Sequence, residues 1–384
     1  MKKLFSYSSV LICIMLVPSL ALAGQEEVVQ EGAETWNLMN STFGRGSLTL
    51  VFFLIVVFLL RLLYGPKGKL RDPRWDEMNR LSRLEEAELK KLKKKAAVLA
   101  AREKRLRALV PVLEKESAAL EDYVNSLKAG PEALEMFSLK KEHCGKVLEN
   151  AWAMALYEGA FWPGEEAGSG RQAPGDLLDA PAGVLLLAAL YHDLGRFEQF
   201  ARYHTFRDAE SLDHGRLGAR LLASPRFLAG AGAGTRARIR LAVLLHGRAE
   251  LPAGLRGARR LVCEALREAD KLDILRVMAA NLGPGKSPDP SVALELRDEP
   301  ESYTPELLEK ALQGREIRYA ELRFVNDLRL LLLGWGRGLT FETSRRLLDS
   351  RGYLREVVAA LPPELAEKLA LTGFFGPGEP KAGF

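Results

Sequence analysis

The sequence predicts an all-α protein in which a membrane-associated N-terminus and a helical spacer precede one helical domain. Two apolar runs lie near the N-terminus and a heptad pattern follows them; beyond Gly130 and Pro131 no segment alternates apolar and polar residues long enough to predict a strand. The 384 residues are 47% hydrophobic and 27% charged, the balance of a globular protein. The formal net charge is +5, but the basic excess lies in the spacer, so we expect no nucleic-acid partner.

The first apolar run has the features of a signal peptide, which we place at residues 1–23. Lys2 and Lys3 precede an apolar stretch from Val10 to Leu22, and Ala21-Leu22-Ala23 is a small-x-small cleavage pattern. Residues 24–46 are then expected to form a short exterior segment. If the first run is retained as an uncleaved helix, the topology of the rest of the chain is unchanged.

The second apolar run predicts a transmembrane helix at residues 47–64, with a buried core helix as the alternative. Acidic residues precede this run and basic residues follow it: Glu26, Glu27, Glu31 and Glu34, then Arg61, Lys67, Lys69, Arg71 and Arg74. Basic flanks stay inside, so everything after about residue 65 is expected to be cytoplasmic. The sequence thus predicts a single-pass protein of a bacterial-type inner (plasma) membrane.

Residues 65–130 are predicted to form a cytoplasmic juxtamembrane segment and a coiled-coil helix. The positions spaced alternately three and four apart are Leu89, Leu92, Ala96, Leu99, Glu103, Leu106, Val110, Leu113, Ser117, Leu120, Val124 and Leu127. Ten of these twelve are apolar, which is typical of a coiled-coil seam and favours a homo-oligomer. An intramolecular helical hairpin is the alternative, and Pro111 is expected to kink or interrupt the helix.

Residues 131–285 are predicted to form the main domain, and residues 286–384 a helical extension packed on it. An apolar helix from Gly183 to Leu194 is expected to be buried on all sides and to stop at Gly195. A histidine and a carboxylate, His192 and Asp193, stand side by side at its end. His143, considered alone, is more typical of a core histidine than of a metal ligand.

The ordered pattern H…HD…H…H…D, carried by His143, His192-Asp193, His214, His246 and Asp270, resembles the HD superfamily of metal-dependent phosphohydrolases. The resemblance covers about residues 137–276 and implies a helical HD domain with a two-metal site. It implies that His143, His192, Asp193 and Asp270 bind the first ion. His214 and His246 would bind the second ion, and Asp193 would be shared. His204 has no place in the pattern and is expected to be a structural residue or a substrate contact.

The implied chemistry is hydrolysis of a phosphate ester through a hydroxide that bridges two divalent ions at Asp193. Histidine and carboxylate ligands favour Mn, Fe, Co, Ni or Zn, and the expected substrate is a phosphorylated, nucleotide-like small molecule. Arg196 and Lys271 are the candidates to hold a phosphate, with a surface salt bridge as the equal alternative for each. Asp273 is expected either to orient a ligand histidine or to have a solvated or capping role.

Two other functions stay open at this stage. The HD superfamily also contains mixed-valent di-iron oxygenases with the same ligand set, and a membrane-tethered signalling scaffold would need no activity at all. Hydrolysis of cyclic dinucleotides is not supported, because His246 continues as Gly-Arg-Ala-Glu-Leu-Pro and lacks the Gly-Tyr-Pro segment of the phosphodiesterase branch.

Overall fold

A computed structural model of the chain describes residues 42–64, 73–128, 130–164, 174–286, 293–313 and 315–371. Within these ranges the chain is helical, and its β pairing amounts to one isolated bridge between Arg297 and Phe324. The predicted all-α fold class is therefore confirmed. The predicted signal peptide at 1–23, and the exterior segment as far as residue 41, lie outside the described residues.

The helices are numbered here in chain order. They are α1 (Thr42–Tyr64), α2 (Pro73–Arg107), α3 (Val110–Ser126), α4 (Pro131–Tyr157), α5 (Pro174–Asp179), α6 (Pro181–Tyr191), α7 (Leu194–Tyr203), α8 (His214–Leu221), α9 (Ala233–Leu245), α10 (Gly257–Leu282), α11 (Pro305–Leu312), α12 (Val325–Arg337), α13 (Glu342–Arg351), α14 (Tyr353–Ala359) and α15 (Pro363–Leu371). The chain forms two compact units, Met1–Leu92 and Lys93–Phe384, and the predicted site lies within the second.

In the first unit, α1 contains the second apolar run. It begins at Thr42, five residues before the predicted start, and ends at the predicted residue, Tyr64. Most of its apolar side chains between Leu50 and Leu63 are exposed. Among the described residues, no helix combines the length and the apolar character needed to span a membrane. The transmembrane helix stays a prediction.

In the second unit, the spacer is interrupted where Pro111 predicted a break. The chain leaves the helical path after Arg107, and Pro111 stands in the first turn of α3, where its missing N–H is tolerated. Four seam residues, Leu106, Leu113, Leu120 and Val124, are buried in the core of the domain. This half of the heptad pattern therefore packs within the chain.

The N-terminal half of the seam differs, because Leu89 and Leu92 are exposed. The compact unit begins at Lys93, upstream of the boundary predicted at residue 131. The heptad pattern thus spans two units: Leu89 and Leu92 belong to the first, and the part from Lys93 onward belongs to the second.

Helix α6 lies at the centre of the domain, and every one of its residues is buried. It packs against α4, α9 and α10, which explains why it has no polar face. The prediction that this helix continues to Leu194 and stops at Gly195 is wrong. It ends at Tyr191, the chain turns at His192 and Asp193, and Gly195 lies in the first turn of α7.

Gly195 is needed because α7 and α8 approach each other closely there. A Cβ atom at Gly195 would lie 2.2 Å from the carbonyl oxygen of His214 and 2.8 Å from the amide nitrogen of Gly218. The glycine therefore allows the backbone after Asp193 to touch the backbone that carries His214, rather than ending a helix.

A buried carboxylate attaches α3 to the helix that leads into the site. Glu116 accepts hydrogen bonds from the hydroxyl of Tyr191 at 2.7 Å and from the backbone N–H of Leu228 at 2.7 Å. A second bond joins Tyr123 of α3 to Glu198 of α7. The spacer is thereby bonded to both helices that flank His192 and Asp193.

The C-terminal extension packs on the domain through α10, which contacts α12, α13 and α14. A second apolar core lies among these helices, with Leu272 and Leu275 of α10 in it. Asp327 is buried and accepts hydrogen bonds from the backbone N–H and the hydroxyl of Thr304, each at 2.7 Å. It stabilises the extension rather than facing the site.

We predict that Gly195→Ala destabilises the full-length protein, because the new Cβ would overlap backbone atoms that have no freedom to rotate away. Overpacking of this kind costs about 1–3 kcal/mol in the free energy of unfolding, measured by urea denaturation and far-UV circular dichroism. Gly145→Ala is the matched control: it is also helical, nothing lies within 4 Å of its built Cβ, and alanine is favoured there by about 0.5–1 kcal/mol. Equal stability of the two variants would contradict the packing argument.

Candidate metal centre

The structure brings all six predicted metal ligands together from five places in the fold. His143 lies in α4, Asp270 in α10 and His214 at the first position of α8, and His246 directly follows α9. His192 and Asp193 occupy the turn between α6 and α7. Considered alone, His143 is more typical of a core histidine, but the structure places its ring beside Asp193 and Asp270.

Asp193 is at the centre, and its two oxygens face different histidines. Oδ2 lies 3.7 Å from Nε2 of His143 and 3.8 Å from Nε2 of His192. Oδ1 lies 3.7 Å from Nε2 of His214 and 3.7 Å from Nε2 of His246. One carboxylate therefore joins two separate histidine pairs.

Asp270 lies beside the first of these pairs. Its Oδ1 lies 3.1 Å from Nε2 of His143 and 3.8 Å from Nε2 of His192. Following the two ion sites that the resemblance implies, we call His143, His192, Asp193 Oδ2 and Asp270 the inner group, and Asp193 Oδ1, His214 and His246 the outer group. The two groups adjoin, because ligand atoms of His192, His246 and Asp270 also lie within 4.8 Å of one another.

Two of the histidines are oriented by the helix that they terminate. His192 Nδ1 lies 2.8 Å from the carbonyl oxygen of Ala189, and His246 Nδ1 lies 2.7 Å from that of Val243. Because a carbonyl only accepts, Nδ1 carries the proton in both rings. Their Nε2 atoms are then left with a lone pair that points into the site.

The other two histidines are oriented by carboxylates. His143 Nδ1 lies 2.7 Å from Oδ2 of Asp273, and His214 Nδ1 lies 2.7 Å from Oδ2 of Asp208. Of the two roles that the sequence left open for Asp273, orientation of a ligand is the one observed. Asp208 has the same role, which the sequence analysis did not assign to it.

The four Nε2 atoms approach one another in two pairs. The Nε2 atoms of His143 and His192 are 3.1 Å apart, and so are those of His214 and His246. In the neutral form with its proton at Nδ1, each ring presents a lone pair at Nε2. A divalent ion beside each pair would accept these lone pairs, so the donor set fits a metal ion.

Within the inner group, the pKa values of His192 and His143 are shifted in opposite directions, and the pKa of Asp193 is lowered. Burial lowers the pKa of His192 to about 4, which keeps this imidazole uncharged. Burial also lowers the pKa of His143, but hydrogen bonds to Asp270 and Asp273 outweigh it and raise the pKa to about 9. Burial raises the pKa of Asp193, but Lys140 and His192 outweigh it and hold that pKa well below its usual range.

Lys140 is a residue of the site that sequence reasoning missed. Its Nζ donates to Asp193 Oδ2 at 2.9 Å and lies over the ring of Phe206, 5.2 Å from the centroid. It stands one helical turn before His143, and that i, i+3 spacing is the signal that places both side chains on one face of α4.

Arg196 lies beside the centre and is part of it. Its Nε is buried, 3.6 Å from Asp193 Oδ1, and has no hydrogen-bond acceptor among the described atoms. Its Nη1 donates to Asp208 Oδ1 at 2.8 Å and to Gln199 Oε1 at 3.0 Å, and also to the carbonyl of Phe206. Arg196 is therefore a salt-bridge residue that faces the site rather than the surface.

Lys271 and His204 are placed differently from the six ligands. Lys271 Nζ lies over the ring of Trp335, 5.5 Å from its centroid, while burial lowers its pKa. His204 is exposed at the end of α7 in the left-handed region, with φ 53°, and its N–H bonds the carbonyl of Phe200. It has a structural role at the helix end.

These positions make a buried group of four histidines and two aspartates that can hold a metal ion. Comparison of the chain with protein-family models, with curated proteins and with solved structures gave no match. A metal centre is supported here by the donor set, its burial and the acceptors that orient each ring.

We predict that the purified full-length protein binds divalent metal and that Asp273→Asn weakens this binding about 10- to 100-fold, the usual effect of losing a residue that orients a metal ligand. The physical reason is that an amide cannot hold the His143 Nδ1 proton as a carboxylate does. Isothermal titration with Mn²⁺ measures the change. His204→Asn is the control, since asparagine tolerates the left-handed conformation and the ring has no part in the group. An unchanged affinity in Asp273→Asn would argue against the assignment.

Proposed function

We propose that the chain is a metal-dependent phosphohydrolase of the HD superfamily, which acts on a nucleotide or a related phosphate ester. The observation that carries the proposal is Asp193, whose two oxygens each face one pair of histidine Nε2 atoms. This arrangement suits two divalent ions, one for the inner group and one for the outer group. Mixed imidazole and carboxylate ligands suit Mn, Fe, Co, Ni or Zn.

Divalent ions bound in this way would acidify a water molecule and stabilise the negative charge that develops on a phosphate in the transition state. The chain's own residues prepare the site for that chemistry. Asp208 and Asp273 hold the rings of His214 and His143, so the ligands need no reorganisation. Helix α6 covers the centre on one side with apolar residues and excludes water there.

Arg196 and Lys271 are the residues proposed to hold the substrate. The buried Nε of Arg196 lies beside Asp193 and has a free N–H among the described atoms, which suits a phosphate oxygen. Lys271 follows Asp270 directly and lies over Trp335, so a cation and an aromatic face stand together.

The proposal includes attachment to the inner face of a bacterial-type plasma membrane through residues 47–64, with the domain in the cytoplasm. The exposed apolar side chains of α1 between Leu50 and Leu63 support it, together with the basic flank that follows. It also includes self-association through the exposed half of the seam, at Leu89 and Leu92, since the other half is buried within the chain.

The hydrolase proposal predicts metal-dependent release of phosphate or a phosphomonoester by the full-length protein, without oxygen and with several redox-inert divalent ions. Asp193→Asn should lose the metal of both groups and essentially all turnover, since one shared charge is removed. His214→Ala should keep about half of the metal and little activity, because it is a ligand of the outer group only. Metal analysis and a phosphatase and phosphodiesterase screen measure both, and His204→Asn is again the control.

Three results would count against this proposal. An absolute need for iron and oxygen would favour a di-iron oxygenase. Full metal content without any turnover would favour a signalling scaffold. Wild-type metal content in both Asp193→Asn and His214→Ala would remove the two-ion assignment.

Membrane orientation has its own test. A reporter fused after residue 75 should behave as cytoplasmic and one inserted near residue 35 as exterior, because basic flanks stay inside. Alkaline phosphatase and fluorescent-protein fusions at the two positions report each side. Exterior labelling after residue 75 would reverse the proposed topology.

A further inference from the structure

We propose that Lys140 is an anion-binding residue of the centre, and that its ammonium group contacts a phosphate oxygen of the substrate once metal occupies the site. This inference rests on the proposed function and names a contact that the resemblance does not supply. The starting observation is that Lys140 Nζ lies 2.9 Å from Asp193 Oδ2, the oxygen that faces the inner group.

Lys140 is partly exposed beside the inner group. Its side chain is 24% exposed, that of Asp270 is 14% exposed and that of His143 is 11% exposed. By contrast, His192 is 0% exposed and His246 is 2% exposed. The Lys140 ammonium is thus in reach of solvent while it contacts the buried carboxylate of Asp193.

Two other carboxylates around the centre are paired with arginines. Asp208 pairs with Arg196, and Asp273 pairs with Arg276 at 2.6 Å. Among the described residues, Lys140 has Asp193 as its carboxylate partner and Phe206 beneath it. In this structure Lys140 balances the negative charge of Asp193. If both oxygens of Asp193 bound metal, the ions would balance that charge instead.

The metal-bound centre would then carry an excess of positive charge beside Lys140. Asp193 and Asp270 would supply two negative charges to two divalent ions, and Lys140 would add a further cation next to Asp193. An ammonium group has three N–H donors, of which Asp193 engages one, so two remain for an oxygen of a phosphate. Multiply charged phosphate esters suit this position better than neutral or monoanionic carboxylate ligands.

The test measures binding of inorganic phosphate to the full-length, Mn²⁺-loaded protein by isothermal titration, with metal content determined on the same samples. Lys140→Met removes the charge and keeps the length, whereas Lys140→Arg keeps the charge. Lys141→Met is the matched control, because Lys141 is the adjacent lysine and pairs with Glu121 at 2.8 Å, away from the centre.

We expect phosphate affinity to fall about tenfold or more in Lys140→Met, the loss expected for one charge-assisted hydrogen bond. Lys140→Arg should recover most of it, and Lys141→Met should match the wild type.

Metal content separates an anion contact from a purely structural ion pair. If Lys140 binds the anion, Lys140→Met retains at least the wild-type amount of Mn²⁺, because a competing cation has been removed from Asp193. Reduced Mn²⁺ in Lys140→Met would mean that Lys140 only positions Asp193, and it would overturn the inference. Equal phosphate affinity in Lys140→Met and the wild type would overturn it as well.

The same samples distinguish failure of this inference from failure of the proposed function. Phosphate binding that depends on Lys140, with no ester hydrolysed, would leave the anion contact standing and remove the hydrolase. Ester hydrolysis with phosphate affinity unchanged in Lys140→Met would leave the hydrolase standing and remove the contact. A protein that binds no Mn²⁺ would overturn both.

Discussion

A carboxylate buried among four imidazole rings requires positive charge close by, and Asp193 is such a carboxylate. Leaving it unpaired would cost several kcal/mol of stability by the usual measure for a buried ion. In this structure Lys140 supplies one cation, at 2.9 Å from Oδ2. Metal ions bound by the two histidine pairs would supply further positive charge. Asp193 is held in position by the end of α6, by the turn at His192 and by the tight α7–α8 contact.

The orientation of the rings has a common physical basis. Carbonyls at the C-terminal end of a helix lack intrahelical donors, and His192 and His246 each donate to such a carbonyl three residues earlier, on Ala189 and Val243. The rings that do not end a helix use carboxylates instead. Thus the hydrogen bonds that satisfy these helix-end carbonyls also fix the tautomers of His192 and His246.

The resemblance to HD phosphohydrolases anticipated which residues would meet, although His143 alone looked like a core residue. The ordered pattern of the superfamily was enough for that, and each of these residues lies at a helix end or on an inward face. It was not enough for Lys140 and Asp208. Both contact the centre through side chains whose direction depends on neighbouring helices: α4 brings Lys140 to Asp193, and the segment after α7 folds back to bring Asp208 to His214.

The sequence by itself determined the helical class and the interruption at Pro111, since these follow from periodicity and from proline's missing N–H. Its resemblance to the HD superfamily implied the six residues that the structure brings together. Tertiary structure decided the rest. The heptad seam reads the same along its length, yet its second half is buried in the domain and Leu89 is exposed. Gly195 reads as a helix stop, yet it permits a backbone contact with His214. A local pattern specifies which face of a helix is apolar or open, but the surface that meets that face is set by segments far away in the chain.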